Sequence, residues 1–289
     1  MLKRIARSFR FRSRSGLLAM RRRWDQTAEA FRPREPTKFN RFLQQVVAVT
    51  GGLEGKRLLE IGSDGEGTFI RQAVEIAKVS EAVGVNPSFA TSRAWGRARL
   101  LNCDARAMAF PNGRFDVITA MSAFEHVHRL DEVLAECHRV MAPGALLITE
   151  FAPIWSGCWG HHLWFYYNGK IVDWTTHPLP PYAHLLMSRE EVSAWCDERY
   201  GDPLLSGAIT QYVFDSPDQN RMFYSDYLDA FEASALNVVC IGAFADVPFP
   251  PHVPVSSYVE LFAKLKERYP DKSGFGHQGM IAILAKPSR

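Results

Sequence analysis

Short aliphatic runs alternate with amphipathic stretches through the first half of the chain. Leu58-Leu59 with Ile61, Ala82-Val83 with Val85, Leu100-Leu101, Val117-Ile118 and Leu146-Leu147-Ile148 predict strands over 57–61, 81–85, 99–102, 115–119 and 145–150. Between them the period lengthens. Phe69, Ile70, Ala73 and Val74 fall at helical spacing, and helices are expected over 68–78, 88–97 and 130–140. An earlier helix carries Phe39, Phe42, Leu43, Val46, Val47 and Val49, after a linker marked by Pro33 and Pro36. Strand alternating with helix predicts an α/β architecture whose parallel sheet is covered on both faces. Helices near 218–235 and from Ser257 to before Pro270, with strands at 237–243 and 279–285, bring the expected count to seven strands.

The pattern changes after residue 150. Residues 151–187 carry Phe151, Trp155, Trp159, Trp164, Phe165, Tyr166, Tyr167, Trp174 and Tyr182, with His161, His162, His177 and His184 among them. So long and aromatic a connection is expected to be an inserted cap, since long loops in compact domains are mostly functional or disordered and aromatic content argues against disorder. Ser188-Arg189-Glu190-Glu191 reads as a capping box opening a helix to about Glu198. The expected organisation is a basic tail and linker (1–35), a core (36–150), the cap insertion (151–217), and a C-terminal return to the sheet (218–289). The proline-rich stretch 244–256 would be a second cap loop.

Composition refines this reading. The chain has 289 residues and a formal net charge of +3, yet residues 1–23 hold nine Lys or Arg and no acid, so the rest is acidic. The basic segment is expected to be a solvated tail, a patch resting on an anionic membrane surface, or a targeting peptide. Five scattered cysteines without a C-x-x-C motif point to reduced thiols in a cytoplasmic setting. No apolar run reaches the length of a membrane span.

The candidate chemistry centres on 57–67, Arg-Leu-Leu-Glu-Ile-Gly-Ser-Asp-Gly-Glu-Gly: strand, glycine loop, helix. The spacing is G-x-x-G-x-G, not the G-x-G-x-x-G of a pyrophosphate loop. Asp64 and Glu66 sit within it, and a carboxylate about 6 Å from a phosphate costs roughly 3 kcal/mol at an effective dielectric near 20. An acidic loop suits a cationic ligand such as the sulfonium and ammonium end of S-adenosylmethionine.

Residues 57–152 resemble a class I S-adenosylmethionine-dependent methyltransferase, whose usual loop is acid-x-Gly-x-Gly-x-Gly; here Asp64 takes the middle glycine's place. The resemblance implies a Rossmann-like fold with an antiparallel final strand. It also implies a cofactor site of Glu60, Gly62, Ser63, Asp64, Gly65, Gly67, Asn86, Asp104, Ala105 and Ser122. Within it Asn86 would accept from the ribose hydroxyls and Asp104 from the adenine amino group. Phe124-Glu125-His126-Val127 also resembles ubiquinone-pathway O-methyltransferases, in which Glu-x-x-Glu-His can hold magnesium. Only Glu125 and His126 match, so no metal requirement is expected.

His161 and His162 are the leading candidate general bases, since imidazole titrates near neutrality, with His126 a further catalytic candidate. Trp155, Trp159, Trp164, Tyr182 and His184 are candidate substrate contacts, with the alternative that they form the cap's own core. The expected reaction is O-methylation of a small-molecule, glycan or lipid-linked hydroxyl. One alternative is an RNA methyltransferase using residues 1–23, disfavoured by the acidic remainder and the missing target-base motifs. Another is a binding module with a degraded loop.

Overall fold

A computed structural model describes residues 37–176, 178–245 and 255–288. The basic tail with its linker, and most of the loop at 244–256, lie outside the described residues. Helix α1 (Lys38–Thr50) starts where the Thr37 hydroxyl accepts from the Asn40 amide and ends at Gly51, φ 73°. Then follow β1 (Arg57–Ile61), α2 (Thr68–Glu75), β2 (Glu81–Val85), β3 (Arg93–Trp95), β4 (Ala98–Leu101), β5 (Phe115–Met121), α3 (Leu130–Val140) and β6 (Met141–Phe151). The cap elements are β7 (Trp164–Tyr167), β8 (Lys170–Asp173), α4 (Ala183–Leu186), α5 (Arg189–Tyr200) and α6 (Pro203–Asp215). Helix α7 (Tyr224–Ala233), β9 (Asn237–Phe244), α8 (Val255–Arg268) and β10 (Gly279–Ala285) complete the chain.

The main sheet runs β3-β4-β2-β1-β5-β6-β10-β9. Strands β4, β2, β1, β5 and β6 are mutually parallel, while β10 lies antiparallel to both neighbours. This is the expected Rossmann-like sheet with one strand more than seven. The extra strand corrects the helix expected over 88–97. Gly96 at φ 57° makes a two-residue turn with Arg97, so Arg93–Trp95 folds back on β4 as an antiparallel edge.

Alternation along the strands fills two cores. Leu58, Ala82, Leu100 and Val117 pack under Phe42, Leu43 and Val46 of α1 and Phe69, Ile70 and Ala73 of α2. Leu59, Val83, Ile118 and Leu147 meet Leu130, Val133 and Leu134 of α3 and Tyr227 and Phe231 of α7. At about 1.5–3 kcal/mol per fully buried large side chain, these two layers hold the strand ends in register.

The cap has interiors of its own. Trp159, Tyr182 and Leu185 pack with Leu265 and Phe275 from the C-terminal segment. Leu163, Val192, Cys196, Ile209 and Val213 form a second cluster. The Ser188–Glu191 capping box opens α5 as expected. Helix α6 was not expected: Asp202 accepts from the amides of Leu204 and Leu205, with Pro203 in the first turn. The helix expected from 218 begins only at Tyr224, because 217–220 is tied to the turn after β5. No helix among the described residues is long and apolar enough to cross a membrane.

Candidate active site

The turns that follow β1, β2, β4 and β5 converge at one end of the sheet, where ligands of open α/β sheets bind. They surround a cavity of about 710 Å³ lined by Gly62, Asn86, Asp104, Ala105, Ser122 and Ala123 on the sheet side. His126, His128, His162, Trp164, Tyr212 and Asp218 close the other side. Gly62 stands at φ 76°, its amide donating to the Val85 carbonyl at 2.9 Å. A Cβ there would lie 2.5 Å from the Ala123 Cβ, so the turns after β1 and β5 touch only because residue 62 has none.

The acidic groups are distributed differently from the sequence expectation. Glu60 is buried beneath the loop and accepts the Ser63 hydroxyl at 2.6 Å. Burial pushes its pKa up to about 8, against the favourable Ser63 bond. Asp64 accepts the Thr68 amide at 2.8 Å at the start of α2. Glu66 faces Arg93 at 3.5 Å on the outside. Neither lines the cavity, nor do Gly65 and Gly67; Gly67 is the residue before α2. The loop's negative charge is therefore turned to a helix start and an arginine instead of the ligand space.

Asn86 fastens the loop: its amide nitrogen donates to the Ser63 carbonyl at 3.1 Å, and its oxygen accepts from the Ser88 amide at 2.9 Å. The oxygen keeps a second lone pair for a hydroxyl donor. Arg106 grips the Asp104 carboxylate, with Nε 3.0 Å from both oxygens, and so holds its pKa below the usual carboxylate value.

His126 and His162 face each other across the cavity wall, ring centroids 4.8 Å apart. The His126 Nδ1 lies 2.5 Å from the Asp218 carbonyl oxygen. A carbonyl only accepts, so Nδ1 carries the proton and Nε2 offers a lone pair. The ring stays exposed on its cavity face, yet the desolvation of its packed side lowers the His126 pKa below 6.5, outweighing that bond. Burial and the neighbouring His126 lower His162 to about 3, and it adopts φ 48°.

The remaining sequence candidates sit elsewhere. His161 is buried and its Nδ1 accepts the Leu163 amide at 3.2 Å. His184 bonds the Trp155 carbonyl at 2.8 Å through Nε2, and burial lowers its pKa to about 4. Trp159 is buried in the cap, and Tyr182 is buried with its hydroxyl donating to the Phe275 carbonyl. Trp155 packs edge-on against His184. Of the residues assigned to the acceptor side, the structure brings His126, His162 and Trp164 to the cavity; the others are built into the cap. Sequence reasoning passed over Arg106, His128, Tyr212 and Asp218. The His-Val-His spacing at 126–128 was a usable signal for His128; Asp218 and Tyr212 reach the cavity only through tertiary folding.

Glu125 lies directly behind His126, fully buried, with Oε1 4.0 Å from the imidazole Nε2. The backbone amides of Glu125 and Ala152 approach its oxygens, but burial outweighs them and pushes its pKa up to about 8. Among the described residues no group of three or more His, Cys, Asp or Glu is placed to hold a metal ion. An acid raised in the fold binds its proton more tightly folded than unfolded, so it stabilises fully below the unfolded pKa near 4.5 and progressively less up to pH 8. His162 and His184, lowered to about 3 and 4, act in the opposite sense below pH 6.5, so the melting temperature should fall between about pH 6.5 and 8. Glu125→Gln should remove roughly half of the slope, leaving the share of Glu60; an unchanged slope in scanning calorimetry would refute this origin.

The glycine turn and the residues at the ends of β1, β2, β4 and β5 all fall in the part of the chain that a methyltransferase domain model matches. Residues 59–149 match the methyltransferase domain family. The demethylmenaquinone methyltransferase of Thermus thermophilus is 34% identical over 114 residues, 36% of this chain and 51% of that protein. A ubiquinone/menaquinone biosynthesis C-methyltransferase of Cupriavidus necator is 27% identical over 138 residues, 44% of this chain and 56% of that one. The chain thus spans about half the length of these relatives. An S-adenosylmethionine-dependent methyltransferase structure from Mesorhizobium loti superposes with a TM-score of 0.45 at 13% identity, over 81% of this chain and 92% of that one; the fold rests here on strand order, not on that likeness.

Proposed function

We propose that this chain methylates a hydroxyl-bearing small molecule, glycan or lipid-linked acceptor, with S-adenosylmethionine as donor and His126 as general base. The observation that carries this reading is the cavity itself. One wall is the close crossing of the turns after β1 and β5, where a Cβ on residue 62 would collide with Ala123, beside Asn86 and Asp104; the opposite wall presents an imidazole with a free Nε2 lone pair. Asn86 and Asp104 suit a nucleoside, with the amide oxygen and the carboxylate as acceptors, and the Ala105 amide beside them. When bound, S-adenosylmethionine supplies an electrophilic methyl group on a sulfonium.

His126 stays neutral near pH 7 because its pKa lies below 6.5, so it is able to take the acceptor's hydroxyl proton at Nε2. Asp218 fixes the tautomer through its carbonyl. His162, neutral across the physiological range, contributes a polar contact without competing for that proton. Trp164 and Tyr212 supply ring faces against which an acceptor is held in place, and such placement accounts for much of the rate of a displacement.

A carbon acceptor is the second reading, favoured by the names of the relatives, one a C-methyltransferase. A phenol deprotonated by the same base attacks through oxygen or through its ring carbon. Calorimetry should show one S-adenosylmethionine bound per chain. A radiolabel-transfer screen over phenols, hydroxylated sugars and RNA should then give label on the phenols or sugars, with NMR separating O-methyl from C-methyl. Label on RNA alone, or no cofactor binding, would overturn the proposal.

A further inference from the structure

A second concavity, of about 440 Å³, lies at the opposite end of the sheet. It is built where the parallel strands begin. Arg57 is the first residue of β1, Glu81 the first of β2, Arg97 precedes β4 and Arg114 precedes β5. The methyltransferase cavity sits where the same strands end. Five residues separate Arg57 from Gly62, roughly 16 Å at about 3.3 Å per strand residue.

The charges in this cleft do not cancel. Asp116 binds Arg57 through both oxygens, at 3.1 Å to Nε and 2.8 Å to the terminal nitrogen. Glu81 divides its carboxylate between Arg99 and Arg114, one oxygen to each. Two acids thus face three arginines. Arg97 adds a fourth, exposed and in no ion pair among the described residues. The floor beside it is Gly96, with open space where a Cβ would be. The paired acids orient the guanidinium planes in advance, yet most of their N–H donors remain unused. A guanidinium presents a planar fork that matches phosphate oxygens. Several held around one small concavity suit a doubly charged oxyanion better than a single carboxylate.

We infer that this arginine cleft is a binding site for a phosphate-bearing ligand, separate from the methyl-transfer cavity. A ligand seated there is too far away to be methylated, so the site anchors or regulates. Two sources share the chemistry: a soluble oligophosphate and an anionic lipid headgroup.

The test uses the full chain at low ionic strength, with pyrophosphate by calorimetry and phosphatidylglycerol vesicles by sedimentation, on the parent and on R97S/R114S. Saturable pyrophosphate binding that weakens at least tenfold in the double variant, with S-adenosylmethionine affinity unchanged, supports a soluble ligand. Vesicle binding that weakens likewise, without pyrophosphate binding, supports a headgroup. Arg97 has no partner to lose, so R97S alone covers a double variant that misfolds, and should weaken the same probe at least threefold. The inference is overturned if neither probe binds the parent. It is also overturned if binding survives in the variants, which would assign it to the basic residues 1–23.

Discussion

His126→Ala should lower kcat by about a hundredfold or more, with the dissociation constant for S-adenosylmethionine held within about twofold. General-base removal commonly costs on the order of 10²–10⁴ in rate, or roughly 3–5 kcal/mol of barrier. The cofactor-side contacts expected of Asn86 and Asp104 come from other strands and do not depend on the imidazole. Single-turnover kinetics with labelled donor would read the chemical step directly. The acid limb of kcat in the parent should fall below pH 6.5, because burial lowers the His126 pKa and the neutral form persists to lower pH. A variant with unchanged kcat, or an acid limb above 6.5, would remove His126 from the role.

Gly62→Ala should raise the dissociation constant for S-adenosylmethionine more than tenfold. Two penalties act together. A residue with a Cβ held at φ 76° costs about 1–2 kcal/mol. The new methyl would also sit 2.5 Å from the Ala123 Cβ, and overpacking of that kind costs about 1–3 kcal/mol. The turns after β1 and β5 would have to part, opening the cradle. Ala123→Gly in the same chain should recover the contact share and leave the backbone share. If G62A binds as tightly as the parent, the crossing of these turns is not what shapes the cofactor site.

The sheet was legible because strands buried on both faces write themselves as near-continuous aliphatic runs. Leu58-Leu59, Ala82-Val83 and Val117-Ile118 do so. The β3 edge was not, since two exposed residues and one half-buried tryptophan carry no such run and only Gly96 announces the turn. Helix α6 was missed for a related reason: Gly207 and an apolar surface on most sides blur its period, while the Asp202-Pro203 start signal was present. On the sheet side of the cavity, strand-end residues are close in sequence to the strands that position them, so a lining of Gly62, Asn86, Asp104 and Ser122 is readable from sequence. The charge argument from Asp64 and Glu66 did not carry over, because sequence shows that a loop is acidic but not which way its carboxylates turn. In the cap, tryptophans and histidines have the same composition whether they line a cavity or fill an interior. Trp155, Cys158 and Trp159 fold back upon Leu265 and Phe275, more than a hundred positions away, a pairing no local pattern reveals.

The chain returning from the cap is stitched to the turn after β5. The Asp218 carbonyl holds His126, the Pro217 carbonyl holds His128 at 2.7 Å, and the Asn220 side chain donates to the Phe124 and Val127 carbonyls. Under the proposed function, acceptor choice and proton abstraction are therefore inherited as one unit. A chimera that imports another protein's lid would alter the basicity of the imidazole along with the guest it admits, and its pH–rate profile would shift even with every sheet residue retained.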